Sequence, residues 1–145
     1  MRMHKIIKVL FVCIHNSARS QMAEAFLNTL GGENFSAESA GLEPGKLNPL
    51  VVKSLHDIGI DISKNKTKDV FEFLKNGKQF DYVITVCDET SGERCPFFPG
   101  SSKRLHWTFE DPSSFTGSEK EILFRIAKVR DSIKLKIEEF IKINK

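Results

Sequence analysis

The sequence contains no apolar run approaching the ~20 residues that a membrane-spanning helix requires. Its longest, Val9 to Ile14, is cut off from Ile6-Ile7 by Lys8. Cysteine is scarce, and Cys13, Cys87 and Cys95 are too few and too dispersed to staple a disulfide scaffold, which points to chemical use of the thiols. Nine Gly and five Pro in 145 residues exclude a collagenous or low-complexity chain, and a charged share of 28% beside twelve Phe excludes disorder. There is no dominant charge sign either. Against 19 Asp and Glu stand 22 Lys and Arg, a surplus of +3 scattered over residues such as Lys64, Lys66 and Lys68, too small for a nucleic-acid footprint. Met1 to Lys5 followed by an apolar run has the outline of a secretory signal, but no A-x-A-like cleavage site follows. The segment reads as the first strand of a cytoplasmic protein with neither a membrane nor a nucleic acid as partner.

What is present is an alternation of strand and helix patterns. Lys5 to Val12 is short, apolar and rich in β-branched residues, as in a strand buried on both faces of a parallel sheet. From Ala18, apolar Met22, Ala25, Phe26 and Leu30 recur at helical spacing until Gly31-Gly32. Phe35 to Ala40 predicts a second strand, and Asn48-Pro49 an N-cap and first-turn proline for a helix carrying Val51 and Leu55 up to Gly59. Thr67 or Asp69 is placed to cap a short helix through Leu74. Phe80 to Cys87 and Leu105 to Phe109 predict two more strands, and Ser118 with Glu121 forms a capping-box pattern before a long amphipathic helix. The class is α/β, a sandwich with a parallel sheet covered on both faces and no repeat or linker dividing it.

Between the first strand and first helix lies Cys13-Ile14-His15-Asn16-Ser17-Ala18-Arg19-Ser20, a C-x5-R-S pattern at the carboxyl edge of the sheet. Five intervening residues suffice for a loop whose N–H groups converge on one point, and the following helix adds its own unpaired N–H groups. Together they make a receptacle for a tetrahedral oxyanion. Arg19 can fork two hydrogen bonds to that anion. The same field is expected to draw the Cys13 thiol below its free value near ~8.5, into the range of roughly 3.5–7.5 seen beside helix N-termini and cations, giving a thiolate nucleophile. Ser20 can donate to the sulfur, and Asn16 tolerates left-handed angles. Taken singly these residues are unremarkable, since Ser and Asn cap many turns and a lone cysteine after a strand is commonly a buried hydrophobe. Their position together with Arg19 is what favours chemistry.

Cys13 to Ser20, extended by Gln21-Met22-Ala23-Glu24, resembles the active-site loop of the low-molecular-weight protein tyrosine phosphatase fold, and within it the thioredoxin-coupled arsenate reductases. The likeness continues through Glu38-Ser39-Ala40-Gly41, Asp61-Ile62-Ser63, Val86-Cys87-Asp88, Cys95-Pro96, His106-Trp107 and Asp111-Pro112. It implies one domain over residues 1–145, a three-layer sandwich with a central parallel four-stranded sheet in the order 2-1-3-4. It implies that Ile14 to Ser20 bind arsenate, with phosphate or sulfate as competitors, and that Cys13 attacks arsenic. Asp111 would protonate the leaving oxygen. Cys87 would then form Cys13–Cys87, and Cys95 would capture Cys87 and present Cys87–Cys95 to thioredoxin. No tightly bound cofactor is implied, apart from a potassium ion at positions matching Asn16, Glu24, Ser39 and Asp69. A monomer is expected.

Arsenate reduction takes two electrons, which the two additional thiols supply, whereas a phosphatase acting on phosphotyrosine or a small phosphate ester would leave Cys87 and Cys95 idle. An oxyanion or redox sensor is a further alternative, without any added partner-binding segment to support it. Zinc at Cys87, Cys95 and His106 lacks a C-x-x-C pair and a fourth ligand. Eight extended steps from Cys87 to Cys95 span ~26–29 Å, against the roughly 7 Å a disulfide tolerates, so polar Asp88 to Arg94 is expected to fold back and to refold during turnover.

Overall fold

β1 (Ile7–Cys13) is the central strand, and its burial explains its composition. Val9, Leu10, Phe11 and Val12 are essentially inaccessible. Successive side chains enter opposite layers. Val9, Phe11 and Cys13 join one cluster with α1 (Arg19–Leu30), α2 (Pro49–His56) and α4 (Glu119–Ile143). Leu10 and Val12 join a smaller cluster with Val70 and Phe73 of α3 (Val70–Lys75). The computed structural model describes residues 5–87 and 102–144.

β1 pairs in parallel with β2 (Phe35–Gly41) and β3 (Tyr82–Val86), and β3 with β4 (Lys103–Trp107), giving one four-stranded sheet in the order β2-β1-β3-β4. This is the expected α/β sandwich. The two faces are unequal, one covered by three helices and the other by the six-residue α3.

Helix ends follow the sequence signals. Asn48 Oδ1 accepts the N–H groups of Leu50 and Val51 at 3.0 and 3.3 Å, with Pro49 at the first helical position. Asp69 caps α3 and Ser118 caps α4. α1 ends at Gly31, which is right-handed, and it is Gly32 at φ 60° that turns the chain away. The limits of all four strands differ from those expected, with β1 starting at Ile7, β2 ending at Gly41 and β3 ending at Val86. β1 runs on to Cys13, paired with Gly41. β3 begins at Tyr82 rather than Phe80, whose ring turns into the smaller cluster against Phe73. β4 spans 103–107 rather than 105–109, its last pair being Trp107 with Val86 at the end of β3, and the Phe109 carbonyl beyond it accepts from Arg19.

Among the described residues no helix is long and apolar enough to cross a membrane. The longest, α4, buries Ile126, Val129, Ile133, Ile137 and Phe140 at spacings of three and four, while Leu135 is 68% exposed. Ile133→Ala is expected to lower unfolding stability by about 2–5 kcal/mol in urea titration, since it opens a void in the larger cluster. Leu135→Ala should change it by less than about 0.5 kcal/mol. Equal losses would place the helix in a different rotation.

Candidate active site

Cys13 ends β1 and Arg19 begins α1, so the five residues between them form the turn from strand to helix. Its peptide groups are oriented by a strap, residues 42–48, laid along their outer side. Leu42 N–H donates to the Cys13 carbonyl at 3.1 Å, Glu43 to Ile14 at 2.7 Å, Gly45 to His15 at 3.0 Å and Asn48 to Ser17 at 2.9 Å. A trans peptide points its C=O and N–H in opposite directions. Carbonyls held outward therefore direct the N–H groups of Ile14, His15, Asn16 and Ala18 inward, as the anion receptacle requires. Asn16 N–H demonstrates it, reaching Cys13 Sγ at 3.1 Å.

The strap can approach because residue 41 is glycine. A Cβ there would lie 2.7 Å from the Ile14 carbonyl oxygen and 2.9 Å from Asn16 N, both backbone atoms that cannot move aside. Asn16 adopts φ 55°, the left-handed conformation anticipated for it. Its buried amide is fully engaged: Oδ1 accepts from Gln21 Nε2 at 3.1 Å and from Lys68 N–H at 2.9 Å, and Nδ2 donates to Ser20 Oγ at 2.8 Å. Since Ser20 Oγ accepts that bond, its own proton is available to Cys13 Sγ, 2.9 Å away.

Arg19, 3% exposed, points toward the segment after β4, with Nη1 donating to the Phe109 carbonyl at 3.2 Å and Nη2 lying 3.7 Å from Asp111 Oδ2. Cys13 is 2% exposed. Burial pushes its thiol above the ordinary value, outweighing the Ser20 hydrogen bond, the Arg19 charge and the N–H groups of Asn16 and Ser20, all of which lower it. The expected depression is thus overturned: the loop favours a thiolate, but desolvation in the closed pocket exceeds that preference.

The profile of the low molecular weight phosphotyrosine protein phosphatase family matches residues 8–145. The chain belongs to this family. An arsenate reductase of Bacillus subtilis (strain 168) is 39% identical over 139 residues, 94% of this chain and 96% of the relative. A solved arsenate reductase in an oxidized state superposes with a TM-score of 0.76 at 31% identity, covering 94% of this chain and 98% of that one. A thioredoxin-dependent arsenate reductase of Corynebacterium glutamicum superposes with a TM-score of 0.64 at 30% identity, over 97% of this chain and 64% of its own.

The structure thus brings Cys13, Asn16, Arg19, Ser20 and Asp111 together. Cys87, fully buried, follows β3 and is disulfide-bonded, while Cys13 is free. β1 and β3 run in register with Val12 opposite Thr85, which sets Cys87 one residue beyond the partner of Cys13. With strands roughly 4.8 Å apart and a rise of ~3.3 Å per residue, continuing that register past Val86 would put the two Cα atoms about 6 Å apart, inside the Cα range of disulfides. Cys95 and the segment from Asp88 to Arg94 lie outside the described residues. His106 lies against Thr85 Oγ1 at 2.8 Å and Thr108 Oγ1 at 3.2 Å through its two ring nitrogens.

The residues matching a potassium site do not fit the ion as arranged. Glu24 Oε1 accepts from Ser39 Oγ at 3.0 Å and pairs with the Lys68 ammonium at 2.9 Å, Asn16 Oδ1 already has two donors, and Asp69 Oδ1 caps Phe71 N–H. A positive charge already occupies the place beside Glu24.

Sequence reasoning missed Gly41 as a packing requirement, Lys68, and Gln21, which is fully buried with Nε2 on the Lys66 carbonyl and Oε1 on Asn65. A polar residue on the buried stripe of α1, next to Met22, was the available signal for Gln21. In the protein without oxyanion, the Cys13 thiolate absorbance near 240 nm is expected to develop only above the titration of a free thiol. Ser20→Ala should move the midpoint higher still and slow alkylation by iodoacetamide. A midpoint below that of a free thiol would contradict the balance described. The same sign governs stability: burial of the neutral thiol stabilises the fold fully below the ordinary thiol pKa, and this contribution is lost as pH rises through the raised value.

Proposed function

We propose that this chain is an arsenate reductase in which Cys13, Cys87 and Cys95 carry a two-electron relay to thioredoxin. The observation that carries the reading is the placement, at the carboxyl edge of the sheet, of a free Cys13 inside an oxyanion loop and a disulfide-bonded Cys87 just past the end of the neighbouring strand. Relatives and structural neighbours that carry the name arsenate reductase, one of them thioredoxin-dependent, support it. A phosphatase would have no use for the distal thiols.

Arsenate enters as a dianion, held by the inward N–H groups of Ile14, His15, Asn16 and Ala18 and by the fork of Arg19. Cys13 Sγ attacks arsenic while one hydroxyl leaves. The thiol proton is transferred to that hydroxyl through Asp111 and departs as water, so a thiol protonated at rest supplies the proton the leaving group needs. Cys87 Sγ then attacks Cys13 Sγ. The arsenic–sulfur bond breaks with its electron pair remaining on arsenic, the Cys87 proton goes to the departing arsenite, and Cys13–Cys87 forms. Cys95 attacks Cys87, restoring the Cys13 thiol and leaving Cys87–Cys95, which the thioredoxin dithiol reduces. This is the order in which Cys13 is free and Cys87 oxidised before reduction. The protein acts as one domain over residues 1–145, a monomer in the cytoplasm, where thiols are kept reduced.

The cation beside the loop is supplied by Lys68. Its ammonium balances Glu24, and its N–H fixes Asn16. Activity and melting temperature are therefore expected to be the same in potassium and tetramethylammonium salts at equal ionic strength. A selective potassium stimulation would restore the ion. With thioredoxin, thioredoxin reductase and NADPH, Cys13→Ser, Cys87→Ser and Cys95→Ser should each abolish multiple turnover. Steady reduction by Cys87→Ser would overturn the relay.

A further inference from the structure

The segment bearing Asp111 is held from two sides. Arg19 reaches the Phe109 carbonyl and the Asp111 carboxylate. From the opposite side, Asn48 Nδ2 donates to the Ser113 hydroxyl at 3.1 Å. Ser113 N–H in turn donates to Asp111 Oδ1 at 3.0 Å, so hydroxyl and carboxylate belong to one turn, anchored by buried Pro112. Asn48 is itself fixed: its N–H donates to the Ser17 carbonyl of the oxyanion loop at 2.9 Å, and its Oδ1 caps α2. Serine, threonine or aspartate would serve as that cap. Asparagine has, in addition, an N–H2 group left to donate outward, and here it spans from loop to Asp111 turn.

The two ties respond differently to substrate. An oxyanion held by the Arg19 fork competes with Asp111 and the Phe109 carbonyl for the same donors, and its charge repels the Asp111 carboxylate. The Asn48–Ser113 bond is neutral and uses no group that the oxyanion takes. We infer that Asn48, acting through Ser113, is a positioning residue that keeps Asp111 at the pocket once Arg19 has turned to the substrate. This rests on the reading of Asp111 as the proton carrier.

The test is rapid-quench formation of the arsenic–Cys13 adduct in a Cys87→Ser background, where the adduct cannot be resolved. Ser113→Ala and Asn48→Ser, which keeps a capping hydroxyl, are each expected to slow adduct formation about three- to fivefold, the scale of one exposed hydrogen bond. Half-saturating arsenate and the rate of Cys13 alkylation should not change. Ser113→Thr should restore the rate, and Ser113→Ala should cause no further loss in an Asp111→Asn background, because the tie acts only through that carboxyl. A wild-type rate in Ser113→Ala, or the same fold-loss with Asp111→Asn, would overturn the inference while leaving Asp111 its role. A wild-type rate in Asp111→Asn would remove the proton carrier and this positioning role with it.

Discussion

The site depends on the direction of four peptide groups. Residues 13–17 would be an ordinary strand-to-helix turn if their carbonyls were free to face the pocket. The strap over residues 42–48 prevents this by donating from outside to the carbonyls of Cys13, Ile14, His15 and Ser17, and the close approach of β2 that makes the strap possible requires a residue without a side chain at Gly41. Asn16, left-handed and bonded to Gln21, Lys68 and Ser20, locks the tightest point of the loop from within. Oriented dipoles of this kind need no reorganisation when an anion arrives.

Against that preparation stands the dehydration of Cys13. The sulfur lies where every neighbour favours an anion, yet its burial pushes the thiol up against them. The consequence is chemical economy rather than inactivity, because the proton kept on sulfur is the one that the departing hydroxyl must acquire. Arg19 contributes to both states, pairing with the Asp111 turn while the pocket is closed and able to fork to a tetrahedral guest.

Features set by local chemistry were legible in the sequence. The C-x5-R-S loop, the caps at Asn48, Asp69 and Ser118, the left-handed Asn16 and the spacing of apolar residues in α4 follow from rules that act within a few residues. Features set by contacts distant in sequence were not. β4 stops at Trp107, where its partner β3 ends at Val86, and the Phe109 carbonyl beyond it accepts from Arg19, far earlier in the chain. Gly41 gives no local sign of the backbone that must pass it, and the charges near the Cys13 sulfur are legible in the sequence whereas the water withheld from it is not. At the cation position the lysines of residues 64–68 already argue against an ion in the sequence, whereas the pairing of one of them, Lys68, with Glu24 is set by a contact distant in sequence.

The central claim, that electrons pass from Cys13 to arsenic and are replaced through Cys87, is tested most directly by mass spectrometry of Cys95→Ser after exposure to arsenate. Peptide mapping under acid quench should recover a disulfide joining positions 13 and 87, in a yield matching one arsenite released per chain. Arsenite release without that linkage, or an arsenate-treated protein with both thiols still free, would contradict the account.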